Sequence, residues 1–493
     1  MQCLLMDVTV HFGPSIWPLF YEFRILEIIL WLYSNIIRHL SNFEGKNNSI
    51  VVSMKSSAIA AAGIAFLAAT IAAIVLVSPV SSADDGSAAA SVNVTIPWIL
   101  VCSALVFIMV PGVAFFYGGM LRRQSMTSMI AQCLAATAVM GISWIVVGYS
   151  LAFGGDAALI GNLDHVLLNG IDEFGIMDGG EISYLEFALF QMMFAIVTAT
   201  LVLGACAERV RFNAIIIFLI LWSVLVYAPM AHWVWGGGLF DQYLTVLDFA
   251  GGTVVHICAG VTGLALCIFV GPRLAGTRKS SRAHNIPIAF LGAMLLWFGW
   301  FGFNGGSGLL ADASAVHVFF TTQAAAVFGM AAWGVAQYIK VGRVGVLGLI
   351  AGAIAGLVAI TPGAAYLGFT ESMFTGAVGG ALCFFAVTFI HSKLKFDDAL
   401  DVFGVHGVGG IWGAIATGIF ADPDLSGGVA GLIHGGTDLF IGQIAAVAFT
   451  VIFCFAMSYA IIWVISRFMK VRIPEAEESI GQDIVEHGEP AYL

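Results

Sequence analysis

Residues 248–260 read Asp-Phe-Ala-Gly-Gly-Thr-Val-Val-His-Ile-Cys-Ala-Gly, and residues 401–410 read Asp-Val-Phe-Gly-Val-His-Gly-Val-Gly-Gly. Each stretch lies in a long apolar segment and contains the pattern Val-His-x-x-x-Gly, with an aspartate before the histidine. A histidine inside an apolar segment is costly in lipid and usually marks a path for a solute or a proton. The recurrence indicates two related halves, with His256 and His406 at corresponding places.

Composition places most of the chain in a lipid environment. Apolar residues make up 60% of the 493 residues and charged residues only 10%, which is too little polar surface for a soluble globule of this length. Seven of the eight cysteines lie inside apolar runs without a Cys-x-x-Cys pair. This pattern argues against a disulfide framework and against a thiolate metal site.

The first 83 residues are read separately from the rest. Residues 54–83 begin with Met-Lys, continue through an apolar run and end Ser-Ser-Ala, which predicts a secretory signal peptide cleaved after Ala83. The alternative is an uncleaved additional helix. Residues 1–53 carry three charges inside their one apolar stretch, so a spanning helix there is unfavourable. We interpret them as a doubtful extension, with Met54 as the true start.

Eleven apolar runs follow, each long enough to span a bilayer, which needs about 20 residues. They lie near 97–121, 126–153, 186–207, 212–235, 249–270, 286–310, 315–339, 344–367, 372–392, 402–421 and 438–466. We therefore predict an all-α polytopic membrane protein, with a transmembrane domain over residues 84–467 and a cytoplasmic tail over 468–493.

Positive charge predicts the orientation. Every lysine and arginine after Ala83 lies in alternate connections, namely Arg122, Arg123, Arg209, Arg211, Arg273, Arg278, Lys279, Arg282, Lys340, Arg343, Lys393, Lys395, Arg467, Lys470 and Arg472. The positive-inside rule makes these segments cytoplasmic. The N-terminus is then outside and the C-terminus inside, in a cell membrane, and the acidic loop between the second and third runs is outside.

The two histidines are five spans apart, an odd number, so the second half enters the membrane from the opposite side. This predicts two inverted five-helix repeats plus a final long helix, with His256 and His406 meeting near the bilayer midplane. Neutral imidazoles there can both donate and accept hydrogen bonds in a narrow channel. Metal binding is the rival use, but no third ligand lies at suitable spacing, so we predict no metal site and no cofactor.

Aromatic residues gather in three segments of the predicted outer half of the membrane. They are residues 190–194, residues 227–235 and residues 300–307. An interfacial aromatic belt explains the tryptophans, but phenylalanine is not the typical belt residue. Ring faces with a hydroxyl suit a small cation, and stacked rings below them would exclude hydrated ions.

These residues resemble the ammonium transporter family (Amt/Mep/Rhesus), and the resemblance runs from about Pro97 to Tyr492. The stretches that carry it are Pro-Gly-Val-Ala-Phe-Phe-Tyr-Gly-Gly-Met-Leu-Arg at 111–122, Gly-Ala-Cys-Ala-Glu-Arg-Val-Arg-Phe at 204–212, and residues 248–256, 300–307 and 401–407. The tail, with Gly-Gln-Asp at 481–483, also keeps the pattern of the family.

The resemblance implies roles for particular residues. An outer recruitment site would consist of Phe190, Phe194, Tyr227, Trp235 and Ser307. The gate would be Phe194 and Phe303, the pore residues His256, His406 and Trp300, and Asp248 would support the site from behind. Ammonium would lose its water and its proton at the aromatic site, and ammonia would cross along the imidazoles. The proton would either follow by a separate relay or stay outside.

The resemblance also implies partners. Family members are homotrimers in lipid, and a cytoplasmic PII-type signalling protein blocks many prokaryotic ones. Ammonium and ammonia are the expected substrates, with methylammonium as a further candidate, and no nucleic acid is expected.

Three other functions are considered: a sensor, a membrane enzyme and a gas channel. A sensor of the same fold would be favoured by a long signalling domain, but only about 27 residues follow the last span. A membrane enzyme is disfavoured because no His-Glu-x-x-His or Gly-x-Ser-x-Gly element occurs in a span. A Rhesus-like gas channel remains possible on grounds of fold, although Trp235 and Ser307 favour the ammonium branch.

Overall fold

A computed structural model describes residues 94–177, 179–274, 283–394 and 396–492. The predicted signal peptide and the doubtful extension lie outside these residues. Within them, eleven helices are long and apolar enough to span a membrane, which confirms the predicted number and the all-α class. They are α1 (Thr95–Met120), α2 (Arg123–Phe153), α3 (Tyr184–Leu203), α4 (Phe212–Tyr243), α5 (Gly252–Val270), α6 (Ile286–Gly305), α7 (Ala313–Val341), α8 (Val346–Gly363), α9 (Phe369–Lys393), α10 (Phe403–Phe420) and α11 (Asp438–Phe468).

Polar residues fix where several helices begin. The Ser183 hydroxyl accepts a hydrogen bond from the Glu186 amide at the start of α3, and the Asn285 side chain accepts one from the Ile288 amide at the start of α6. Asp312 accepts two from the first turn of α7. Such caps satisfy amides that have no partner within their own helix.

The two histidine-bearing helices, α5 and α10, pack against each other at the centre of the molecule. Each starts with a π-helical turn, at Gly252–Ile257 and Phe403–Gly407. A Cβ on Gly260 of α5 would lie 2.3 Å from the Gly407 amide nitrogen of α10. Glycine is therefore required for this close approach of the two backbones.

The connections that follow the odd-numbered helices meet on one side of the molecule, which we call the basic face. Buried ion pairs join these connections. Glu208 binds both Arg122 and Arg273 at 2.9 Å, and Arg273 also binds Asp397 at 2.8 Å. Burial by itself would raise the pKa of Glu208, but the two guanidinium groups hold it below its ordinary value. A buried carboxylate shared by two arginines ties three connections together.

The tail packs on this basic face. Its residues 471–473 pair with residues 209–211 through backbone hydrogen bonds, and a short helix, α12 (Glu475–Ile480), follows. The Glu478 carboxylate is buried and accepts from the Leu274 amide and from Arg472 at 2.7 Å each. Asp483 accepts from the Ser128 amide at the start of α2. The tail is therefore a fixed part of the helical body.

Candidate functional site

The two histidines of the repeated pattern meet in the core. The Nδ1 atoms of His256 and His406 are 3.3 Å apart, and the two rings lie 5.4 Å apart, 28° from parallel. Both side chains are buried. One Nδ1 must carry the proton of this hydrogen bond and the other must accept it, so each ring keeps its Nε2 for another partner. The His256 Nε2 has no hydrogen-bond partner among the described residues.

An aspartate holds the start of α5. The Asp248 carboxylate accepts from the amides of Gly251, Gly252 and Thr253 at 2.8, 2.6 and 2.7 Å, and from the Thr253 hydroxyl. Gly251 turns the chain into the helix with φ +110°, a conformation that favours glycine. These bonds fix the turn that carries His256, eight residues after Asp248.

The start of α10 is capped by Asp398 and not by Asp401, the aspartate that the sequence pattern places before His406. The sequence pattern pairs Asp248 with Asp401, but Asp398 caps the helix, accepting from the Val402 and Phe403 amides at 3.0 and 2.8 Å. Asp398 precedes His406 by eight residues, as Asp248 precedes His256, so equal spacing was the signal that could have found it. Asp401 instead adopts φ +60° and binds His391.

Aromatic rings form a continuous stack that leads to His256. The rings of Phe194 and Phe303 lie 4.3 Å apart at 26°, and Phe303 lies 6.0 Å from His256 at 28°. Trp300 also stacks on His256, at 5.3 Å and 22°. The Trp300 indole donates to the Thr361 hydroxyl at 3.0 Å. The sequence reasoning missed Thr361, because a contact between α6 and α8 leaves no local pattern.

Further rings surround Phe194 towards the face opposite the basic face. Phe190 lies 4.9 Å from Phe194, and Trp235 meets Phe194 edge-on at 6.0 Å and 89°. The Trp235 indole donates to the Asp248 carbonyl at 2.8 Å, so the turn that positions His256 also positions Trp235. The half-buried Ser307 donates its hydroxyl to the Phe303 carbonyl, which leaves its oxygen able to accept.

Tyr227 lies elsewhere. It precedes Trp235 by two turns of α4, about 12 Å along the helix axis. Its ring contacts are with Trp144 and Trp222, in the interior of the helical bundle. Of the aromatic residues assigned to the outer group from the sequence, the structure therefore brings together Phe190, Phe194 and Trp235, with Ser307 one turn from Phe303.

Comparisons with known proteins agree with this arrangement. A family model described as the Ammonium Transporter Family matches residues 97–492. The ammonium transporter of Bacillus subtilis (strain 168) is 46% identical over 396 residues, which cover 79% of this chain and 96% of that protein.

Solved structures match over a similar share of the chain. The crystal structure of Saccharomyces cerevisiae Mep2 aligns with a TM-score of 0.71 at 34% identity, over 77% of this chain and 90% of that chain. A structure described as a sensor Amt protein aligns with a TM-score of 0.73 at 30% identity, over 80% and 98%. With its eleven spans and a family match over most of its length, this multi-pass membrane protein belongs to the ammonium transporter family.

Proposed function

We propose that the chain recruits ammonium at the aromatic cluster, removes its proton there and conducts ammonia past His256 and His406. The observation that carries the proposal is the unbroken series of ring contacts from Trp235 through Phe194 and Phe303 to the histidine pair. The family match supports ammonium as the solute.

Recruitment depends on ring faces and on one hydroxyl. Trp235 and Phe194 meet at 89°, so a small cation near their edge can contact one face of each ring. A desolvated cation gains up to about 2 kcal/mol from such a ring face. The Ser307 oxygen can accept one N–H bond, which a potassium ion cannot donate. This difference favours ammonium over a spherical ion of similar size.

Deprotonation follows from the cost of charge beyond the gate. Phe194 and Phe303 are both 1% exposed and stack at 4.3 Å, so no hydrated ion fits between them. A bare cation in such an apolar passage costs far more than neutral ammonia. Ammonium therefore passes the gate most easily as ammonia, and its proton crosses by a separate path, so that each ammonium transferred carries one charge.

The histidine pair then guides ammonia through the lumen. Since the two Nδ1 atoms share one proton, one Nε2 carries a hydrogen and the other offers a lone pair. Ammonia both donates and accepts hydrogen bonds, so it can exchange partners along the two rings. Neutral imidazoles thereby lower the barrier for a polar molecule without placing a charge in its path.

The remaining features are proposed from charge placement and from the family. The basic face is cytoplasmic under the positive-inside rule, so recruitment takes place outside. A homotrimer, and a PII-type protein as the cytoplasmic partner, are proposals that rest on the resemblance. The signal peptide remains a prediction about residues 54–83.

The test measures currents from proteoliposomes on a solid support after a pulse of ammonium or potassium. We expect a current with ammonium and none with potassium. His256→Ala and His406→Ala should abolish the ammonium current or let potassium pass. His434→Ala is the matched control, because His434 is exposed in the connection between α10 and α11 and should behave as wild type. Unchanged selective currents in both pore variants would refute the role of the histidine pair.

A sensor is the second candidate, favoured by the structural match to a sensor Amt protein. In that case the site would bind ammonium with little flux. The same recordings separate the two, because a sensor that binds without conducting gives no sustained ammonium current.

A further inference from the structure

A second polar site lies on the basic face, away from the aromatic cluster. A cavity of about 1280 Å³ opens between the ends of α1, α9 and α10 and the tail. Its apolar wall includes Met120 and Leu347, and its polar wall includes His391, Asp401, Asp397 and Arg273. The proposed recruitment and conduction of ammonium use none of these polar groups.

His391 and Asp401 form a pair in this wall. The His391 Nε2 lies 2.6 Å from the Asp401 Oδ1, and the two side chains are 47% and 32% exposed. His391 lies in the last turn of α9, where the helix dipole favours a positive charge. Asp401 is one of the few non-glycine residues at positive φ, a conformation that places its carboxylate beside the histidine.

The pair is close to the inner end of the conduction path. Asp401 lies two residues before the start of α10, and His406 lies in the first turn of that helix. The buried Asp398 carboxylate caps the same helix start. Burial, together with the neighbouring Asp401 charge, raises the pKa of Asp398 to about 7. Protons can therefore be held near neutral pH at this end of α10.

The other charged groups of the cavity are committed to structure. Arg273 donates to both Asp397 oxygens at 2.8 and 2.9 Å. Burial opposes ionisation of Asp397, but this guanidinium holds its pKa below the ordinary value. Arg472 binds the buried Glu478 at 2.7 Å. Glu475 in the tail and Lys393 after His391 are exposed to solvent.

We propose that His391 and Asp401 form the proton-exchange site at which conducted ammonia becomes ammonium again; this rests on the proposed function. The lone pair of ammonia takes the proton of the His391 imidazolium, which leaves neutral imidazole and ammonium. The Asp401 carboxylate stabilises the imidazolium before the transfer and attracts the ammonium after it. His391 regains its proton from water in the cavity, and the hydroxide that this leaves is neutralised by the proton that arrives through the separate path, so no other reactant is required and the net transfer is one ammonium ion.

The experiment varies the pH on the basic-face side alone. Proteoliposomes are sorted by orientation so that the tail faces the lumen, their lumens are buffered between pH 6 and 8, and the initial ammonium current is recorded at fixed outer pH. The wild-type current should fall severalfold as the lumenal pH rises over this range, because the imidazolium fraction falls. His391→Gln should show a nearly flat profile, and Asp401→Asn, which tolerates positive φ, should shift the profile to lower pH.

His434→Gln is the control, since it removes an exposed histidine on the opposite face and leaves the cavity intact. It also corrects for the effect of lumenal pH on the driving force. A His391→Gln current that keeps the wild-type pH profile would overturn the proposal. Absence of any ammonium current from the wild type would instead refute the proposed function. A lower melting temperature with an unchanged profile would assign the pair a structural role only.

Discussion

Replacing Gly260 with alanine tests the contact between the two halves. A Cβ at this position would lie 2.3 Å from the Gly407 nitrogen and 2.5 Å from its Cα, about 1 Å inside ordinary van der Waals contact. Both obstacles are backbone atoms, so α5 and α10 must separate. Overpacking of this kind costs about 1–3 kcal/mol, and the higher helix propensity of alanine offsets at most about 1 kcal/mol.

The separation acts on the histidine pair. His256 is one turn before Gly260, and His406 adjoins Gly407, so a shift of about 1 Å breaks a 3.3 Å hydrogen bond. We expect Gly260→Ala to lower the melting temperature in detergent and to lose most of the ammonium current.

Gly141→Ala is the matched control for this substitution. Gly141 also lies inside a spanning helix, but the nearest atom to its added Cβ is 3.9 Å away. This variant should keep the wild-type current and a wild-type or higher melting temperature. If Gly260→Ala behaved as Gly141→Ala does, the tight contact between α5 and α10 would be refuted.

Three further variants probe the support of the site. Thr361→Val leaves the buried Trp300 indole without a hydrogen-bond acceptor, at a cost of about 1–3 kcal/mol, and should lower both the ammonium current and the melting temperature. Thr361→Ser keeps the hydroxyl and should keep both. Equal behaviour of the two variants would contradict the role of the Thr361 hydroxyl as the acceptor for Trp300. Because the pKa of Asp398 is raised in the folded state, its contribution to stability is present below about pH 4 and is lost as pH rises through about 7. The melting temperature should therefore fall more over this range in wild type than in Asp398→Asn, and parallel curves would refute the shift. Glu208→Ala removes the buried carboxylate shared by Arg122 and Arg273 and leaves the Arg122 guanidinium without a carboxylate partner, so a loss of about 3–5 kcal/mol should greatly reduce the folded yield; wild-type yield would argue against the ion-pair network.

The spans were predictable because their cause is local. A run of about 20 apolar residues identifies a spanning helix, and the predicted ends differ from the observed ones by only a few residues. In α4 the continuous helix ends at Trp235, as predicted, and the apolar segment extends to Tyr243 only through a separate short helix, Leu239–Tyr243. The three glycines at 236–238 separate the two helices, and glycine is the residue expected at such a break.

The histidine contact was predictable from repetition, and its supporting residues were not. Two copies of one pattern, five spans apart, implied that His256 and His406 meet. The prediction that Asp401 corresponds to Asp248 was wrong. Asp398 and Asp401 both precede His406, and only the number of residues to the histidine distinguishes them. The Thr361 hydrogen bond joins helices distant in sequence, and the His391 pair depends on the fold of the connection between α9 and α10, so no local pattern reports either contact.

The packing of the tail on the basic face was likewise not predictable from the sequence. The glutamates of α12 look like an exposed acidic run, yet Glu478 is fully buried beneath Leu274 and Arg472. Which of these carboxylates forms a hydrogen bond or an ion pair depends on the position of connections that lie elsewhere in the chain.

The central claim is a single narrow, water-poor passage that joins the aromatic cluster to the basic face past both histidines. An electron cryomicroscopy map of the protein in lipid nanodiscs, with and without ammonium, tests it most directly. We predict a continuous lumen from Trp235 to Asp401 with the Nε2 atoms of both rings facing it, and added density near Ser307 with ammonium. Histidine rings apart on lipid-facing surfaces, with no lumen between them, would contradict the account.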